Sequence, residues 1–246
     1  FTEDGHNLLQ TLSPRGSISY SLDEANRWKI TGTVGRYYKL PPNTLLAFQN
    51  RSGTFVNKAS DYIRSDHFVT GLSFQPRKTT QLSLEGFLKR YGNYPVSLDD
   101  GVSLANLGGD FEVFGNEAVT SSGSGRSYGM EFSYQQKLTN DFYGILAYTL
   151  YWSEFTGLND ENFLPSLWDN RHLLTFTGGY KLNKKWEVAT RLRVLGGPPY
   201  ADLNRSASEQ IYPELIFNYA TLGENRLDLF NVLDVRIDRK WNFENW

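Results

Sequence analysis

Residues 126–155 read RSYGMEFSYQQKLTNDFYGILAYTLYWSEF, and this stretch decides the fold. In its first half Tyr128, Met130, Phe132 and Tyr134 alternate with Ser127, Gly129, Glu131, Ser133 and Gln135. In its second half Phe142, Leu146, Tyr148, Leu150 and Trp152 repeat the period after Thr139-Asn140. A period of two marks a strand with unlike faces, and a short polar break between two such runs marks a hairpin. The spacing therefore predicts antiparallel strands over Arg126–Leu138 and Asp141–Phe155.

Working outward, the same unit recurs. Ser13–Leu22 and Arg27–Leu40 flank Asp23-Glu24-Ala25-Asn26, with Ile18, Tyr20 and Leu22, then Trp28, Ile30 and Val34, at alternate positions. Ser65–Gln75 and Gln81–Tyr91 flank Pro76–Thr80, and Arg171–Leu182 and Trp186–Gly196 flank Asn183-Lys184-Lys185. A ninth strand is expected over Val232–Phe243, where Leu233, Val235, Ile237 and Trp241 oppose Asp234, Arg236, Asp238 and Lys240. No segment carries helical period. The chain reads as all-β, an antiparallel meander.

The connections are of two kinds. Those after strands one, three, five and seven are short, about two to five residues, as hairpins require. Those after strands two, four, six and eight cover Pro41–Arg64, Gly92–Gly125, Thr156–Asn170 and Gly197–Asn231. Long loops at one end and tight turns at the other are the pattern of outer-membrane barrels, whose spanning strands need about 9–11 residues. Trp28, Trp186 and Trp241 sit at short-turn ends on the apolar side and Trp152 near the other end, where indoles meet a membrane–water boundary.

Composition agrees with that reading. The 246 residues hold 16 Phe, 15 Tyr and 6 Trp, yet only 39% are hydrophobic, and mean hydropathy is −0.48. A barrel with one lipid face and one polar face gives such an average. No run approaches ~20 apolar residues, which excludes a transmembrane helix. The net charge of −2 provides no field for nucleic acid, and the absence of cysteine removes disulfides and thiol chemistry. Nothing at the start resembles a signal peptide, and Phe1 in place of Met suggests a mature or cut chain.

The polar face carries Glu85, Lys89, Glu131, Lys137, Arg171, Lys181, Glu187, Arg191, Arg193, Asp234, Arg236, Asp238 and Lys240. A dry core would hold these at several kcal/mol per unpaired ion, so a wide watery or plugged lumen is expected. Arg191 and Arg193 share a side and could meet an anionic solute or a plug. The loops hold Phe48, Phe55, Tyr62, Phe111, Phe114, Phe163, Trp168, Tyr200, Tyr212, Phe217 and Tyr219, which could stack on sugars, catechols or each other.

Catalytic signals are weak. Asp169 precedes His172 and could orient an imidazole, but no G-x-S-x-G elbow occurs; Ser122–Gly125 is a Gly/Ser loop. Asp99-Asp100 and Asp160-Glu161 are paired acids without EF-hand spacing, and Gly108-Gly109 and Gly178-Gly179 precede no helix. His6 and His67 are the other histidines. The expectation is no catalytic set, no metal set and no cofactor, with ligand-binding residues left unassigned. The sequons at Asn50 and Asn204 carry no meaning in a bacterial outer membrane.

Several segments resemble the barrel of TonB-dependent outer-membrane receptors, particularly those of Bacteroidetes-type bacteria. These are Gly125–Phe132, Asp141–Ser153, Trp168–Leu174 with Gly179–Leu182, Gly197-Pro198-Pro199-Tyr200, Arg226-Leu227-Asp228 and Leu233–Ile237. The resemblance covers about half the chain. It implies energised uptake of a scarce nutrient (a siderophore, cobalamin, a glycan or similar) in the Gram-negative outer membrane. Its implied partners are the lipid bilayer, the substrate and a TonB-type coupling protein acting through a plug domain. No plug and no coupling box is visible, and nine strands fall short of the roughly 22 of plugged barrels. Residues 1–246 are therefore expected to form a single domain, the mid-to-late part of a receptor barrel. Two other readings stay open: a passive porin-like channel, and a soluble secreted carbohydrate-binding β protein with Leu82, Leu84, Phe132 and Leu146 in a closed core.

Overall fold

A computed structural model describes residues 11–107, 116–159, 161–213 and 215–241. Nine long strands follow one another in a single antiparallel sheet: β1 (Arg15–Ser21), β2 (Trp28–Lys39), β3 (Ile63–Arg77), β4 (Thr80–Ser97), β5 (Val119–Thr139), β6 (Phe142–Thr156), β8 (His172–Lys181), β9 (Trp186–Leu195) and β14 (Phe230–Arg239). A short β7 (Phe163–Pro165) lies against β6. The last connection contains two small ladders, β10 (Pro199–Tyr200) with β13 (Asn225–Arg226) and β11 (Asp202–Leu203) with β12 (Phe217–Asn218). It also holds α2 (Arg205–Gln210), and the first long connection holds α1 (Asn43–Leu46).

Register carries the two-faced pattern across the whole sheet. Trp28, Phe74, Leu82, Tyr134, Leu146, Phe176, Leu192 and Leu233 stand in one unbroken row over eight strands. On the other side Gln81, Gln135, Ile145, Thr177, Arg191 and Asp234 form a row. Because side chains alternate along each strand, one slip would exchange the faces, so the contrast fixes the pairing.

Among the described residues no second layer covers either face. Leu84 is 48% exposed, Leu233 64% and Ile18 73%, while Leu45, Leu46, Leu104 and Val119 form a buried cluster at the loop end. The closed core required by the soluble reading is absent from the described residues: Leu84 faces outward, and Leu82, Phe132 and Leu146 are only half-buried beside it. An apolar face this broad exceeds the patches that water-soluble chains expose. No described helix is long and apolar enough to cross a membrane.

The tight connections carry turn geometry. Asn140 and Asp141 both have positive φ, 48° and 67°, and Thr139 pairs with Phe142. That is a two-residue hairpin whose twist suits the strands, and it places Asp141 in the turn. In the first turn Asp23 accepts the amides of Arg27 at 2.7 Å and Trp28 at 2.8 Å.

One expectation needs correction. Gly92–Gly125 is not loop throughout: β4 runs on to Ser97 and β5 begins at Val119. The register shifts around Tyr94, Asn93 takes φ 56°, and a Cβ at Gly123 would lie 2.7 Å from the Tyr94 carbonyl oxygen. The glycines that suggest turns instead allow two irregular strands to approach closely. The ninth strand also differs from expectation, starting at Phe230 and ending at Arg239 before Lys240 and Trp241, while Phe243 lies outside the described residues.

Candidate functional site: an aromatic recess on the polar wall

The strand extensions lift one wall above the apolar band and bring aromatic residues to its polar face. Tyr37, Ser65, Tyr91, Gly125 and Phe155 lie in one register row. A Cβ at Gly125 would fall 2.3 Å from the Phe155 ring, so glycine gives that ring its place. Phe155 is 2% exposed, and its ring centre is 5.3 Å from Tyr91, 4.6 Å from Tyr94 and 6.5 Å from Trp168. Tyr37 lies 4.5 Å from His67 and carries the Arg15 guanidinium over its ring at 4.3 Å.

Below these rings lie His67, Lys89, Ser127 and Ser153, and further down Glu85, Glu131 and Thr149. Ser127 donates to Ser153 at 2.9 Å, and Thr149 to Glu131 at 3.4 Å. Two adjoining recesses result. The upper, about 340 Å³, includes Tyr37, His67, Tyr94 and Phe155; the lower, about 460 Å³, includes Glu85, Lys89, Glu131 and Tyr151. Tyr91 and Trp168 line both. The arrangement offers ring surfaces for stacking, one ammonium, two carboxylates and several hydroxyls.

Trp168 comes from the third long connection and is held from behind. Asp169, wholly buried, accepts Arg171 Nε at 3.2 Å and Arg226 Nη2 at 3.1 Å. Burial pushes the Asp169 carboxyl above the ordinary range, with both guanidiniums acting against that rise. Asn170 Nδ2 donates to the Gly196 carbonyl at 2.7 Å. Asn106 donates to the carbonyls of Leu164 and Pro165, and Asn57 to that of Glu117, so all four long connections are latched at the rim.

The expected residues divide. Glu85, Lys89 and Glu131 converge with Trp168 on the lower recess. Arg191 and Arg193 do share the polar face, opposite Thr177 and Thr175 and away from the recess. Arg171 corrects its assignment: it precedes β8 with φ 64°, and its guanidinium sits 5.2 Å from Trp152, on the apolar side. Lys240 follows β14 and bonds back to Lys185. Phe163 stacks under Arg126 at 4.3 Å, Phe55 and Tyr212 are exposed, and Phe217 lies 6.3 Å from Tyr219. Phe111, Phe114, Gly108, Gly109, Asp160 and His6 lie outside the described residues.

The Asp169–His172 pair does not form. His172 Nδ1 bonds the Tyr148 hydroxyl at 2.8 Å while Asp169 serves the two arginines. Among the described residues no three His, Asp or Glu side chains gather as a metal set. Sequence reading missed Tyr37, Tyr91, Tyr94 and Phe155. The available signal was aromatic residues standing out of phase in otherwise polar positions.

The TonB dependent receptor-like beta-barrel family matches residues 2–246. The chain belongs to this TonB-dependent receptor family. Its place is accordingly the Gram-negative outer membrane, with the apolar row toward lipid and the polar face toward the lumen. No curated protein matches it. Among solved structures, the ferric-catecholate import receptor Fiu of E. coli K12 aligns with TM-score 0.63 and 15% identity over 93% of this chain and 28% of its own. The ferripyoverdine receptor of Pseudomonas aeruginosa gives 0.63 and 13% over 92% and 26%. The FrpB iron transporter of Neisseria meningitidis gives 0.58 and 11% over 93% and 32%. At such identities the likeness is one of fold. The chain spans less than a third of each of these receptors.

Proposed function

We propose that this chain is the mid-to-late part of the barrel of an energy-coupled receptor, of the Bacteroidetes type, that imports a scarce nutrient. The observation that carries the reading is Trp168, brought from a long loop to Tyr91 and Phe155 on the lumen wall. Rings on rigid strands, facing a rim of latched loops, suit a ligand with planar groups, and Lys89 suits an anionic chelate. An iron chelate with aromatic rings ranks first, ahead of cobalamin or a glycan; the names of the Fiu and ferripyoverdine receptors support that order. The remainder of the mechanism, plug movement driven by a TonB-type coupling protein, would belong to parts of the receptor outside this chain. No enzymatic step is proposed.

The test is uptake by cells whose only route is the full-length receptor. Labelled ferric catecholate, other ferric chelates, cobalamin and oligosaccharides are compared with and without the coupling protein. One substrate should enter only when coupling is intact, and Trp168→Ala or Tyr91→Ala should weaken its binding by about tenfold, as for buried aromatic contacts. Uptake that persists without the coupling protein, together with steady conductance in a planar bilayer, would establish the passive channel instead.

A further inference from the structure

On the lipid side, just above the apolar band at the loop end, Arg36, Asp66, Arg90, Arg126 and Glu154 occupy one register row across five strands. Arg64 stands two pairing steps higher, in the next row of the same face, between Tyr38 and Gly92. Asp66 is engaged by Arg36 at 2.6 Å and Arg64 at 3.6 Å, and Glu154 by Arg126 at 2.7 Å. Three guanidiniums thus engage two carboxylates, and with Arg90 the cluster holds four positive charges against two negative ones. Arg90 is exposed and directly opposite Arg126, a like-charge cross-strand pair flanked in the row by Asp66 beside Arg90 and Glu154 beside Arg126.

The next row toward the membrane is Val34, Phe68, Leu88, Tyr128 and Trp152. Beneath it an open groove of about 640 Å³ runs between Ile18, Val34, Phe68 and Leu88 over a floor of Gly32, Thr70 and Gly86. The floor is low because two of its three residues are glycine. A Cβ at Gly32 would meet nothing closer than 3.4 Å, and one at Gly86 nothing closer than 3.9 Å. Neither glycine is required by the backbone there, so the missing side chains leave surface relief.

We propose that this wall binds one phosphorylated, acylated lipid of the outer leaflet. Arg90 and Arg126 hold a phosphate, flanked by Arg36 and Arg64, and an acyl chain lies in the groove over Gly32 and Gly86. Guanidinium forks match phosphate oxygens, and the depth at which the row sits is that of lipid head groups. The site rests on membership of the barrel family alone and is independent of what the receptor imports.

The test uses the full-length receptor, delipidated in mild detergent and returned to nanodiscs with bisphosphorylated lipid A, its dephosphorylated form, or phosphatidylglycerol. Retained lipid is counted by native mass spectrometry. Wild-type protein should keep one bisphosphorylated lipid and hold the dephosphorylated form at least about tenfold more weakly, since charge-assisted contacts are lost. Arg90→Gln with Arg126→Gln should give a similar loss. Gly32→Leu with Gly86→Leu should lower retention with the arginines intact, and heat-modifiable migration on gels confirms folded barrels. The wild-type comparison needs no variant to fold. Equal retention of all three lipids by wild-type protein, no retained lipid, or retention unchanged in both variants would overturn the proposal.

Discussion

Tyr128 and Trp152 stack on the apolar face with ring centres 5.5 Å apart and planes 7° from parallel. The Arg126 guanidinium lies 5.7 Å from Tyr128 and that of Arg171 5.2 Å from Trp152. Two rings below two cations mark the level at which the lipid band gives way to water. At the opposite edge Trp28 stacks on Phe74 at 4.0 Å, and Arg239 covers both Trp186 and Trp241. The Trp28–Phe74 row and the Tyr128–Trp152 row thus bound the apolar band at its two edges.

The tryptophans should therefore divide by quencher. In the full-length receptor in bilayers, single-tryptophan variants keeping Trp28, Trp152 or Trp186 are expected to be quenched by brominated lipid. A variant keeping Trp168 should respond to aqueous iodide. Equal response of all four to iodide would count against the assignment of faces.

Gly129 has no room for a side chain. A Cβ there would lie 2.2 Å from the Leu150 carbonyl oxygen and 2.7 Å from Tyr151 Cα, both backbone. Gly129→Val is expected to destabilise the β5–β6 pairing by about 2 kcal/mol, in the range of overpacked interiors. Urea titration of the folded receptor in detergent measures it.

Asp169 joins Arg171 and Arg226 where the third and fourth long connections meet. Asp169→Ala leaves two guanidiniums without their shared partner, and a local loss of about 2 kcal/mol is expected. The readout is faster proteolysis within residues 197–229, with the spanning strands still protected. Trp168 should loosen with it, so ligand affinity falls although no ligand contact was removed.

Asp23 gives a pH prediction on the turn outside the membrane. The backbone hydrogen bond from Trp28, with Arg27, holds its carboxyl below the ordinary value of 3.8. The depressed group contributes stability above that ordinary value, and the contribution is lost as pH falls through the lower folded one. Protection of the Arg27 and Trp28 amides, corrected for intrinsic exchange, should hold at pH 5 and be lost only as pH falls below the ordinary value of 3.8. Asp23→Ala should remove the pH dependence.

The strand phases were legible because each strand contrasts its two faces: Met130 and Phe132 against Glu131 need only local sequence. The one-sided loops were legible for the same reason. The recess was not, because Tyr91, Gly125 and Phe155 meet through register between strands far apart in the chain. Nor were the latches of Asn57 and Asn106, since a buried amide in a loop has no periodic mark. Arg171 was misplaced because its positive φ ends the alternation one residue before β8 begins.

The central claim is that one face of this sheet meets lipid and the other a polar lumen. The chain has no cysteine, so once any cysteine elsewhere in the full-length receptor is replaced, single cysteines placed one at a time along residues 126–138 report each position cleanly. Spin labels there are compared for collision with oxygen, which concentrates in lipid, and with a water-soluble nickel chelate. The expected result is strict alternation, with 128, 130, 132 and 134 favouring oxygen and 127, 129, 131 and 133 favouring nickel. Uniform nickel accessibility along the strand, or uniform protection from both, would contradict it.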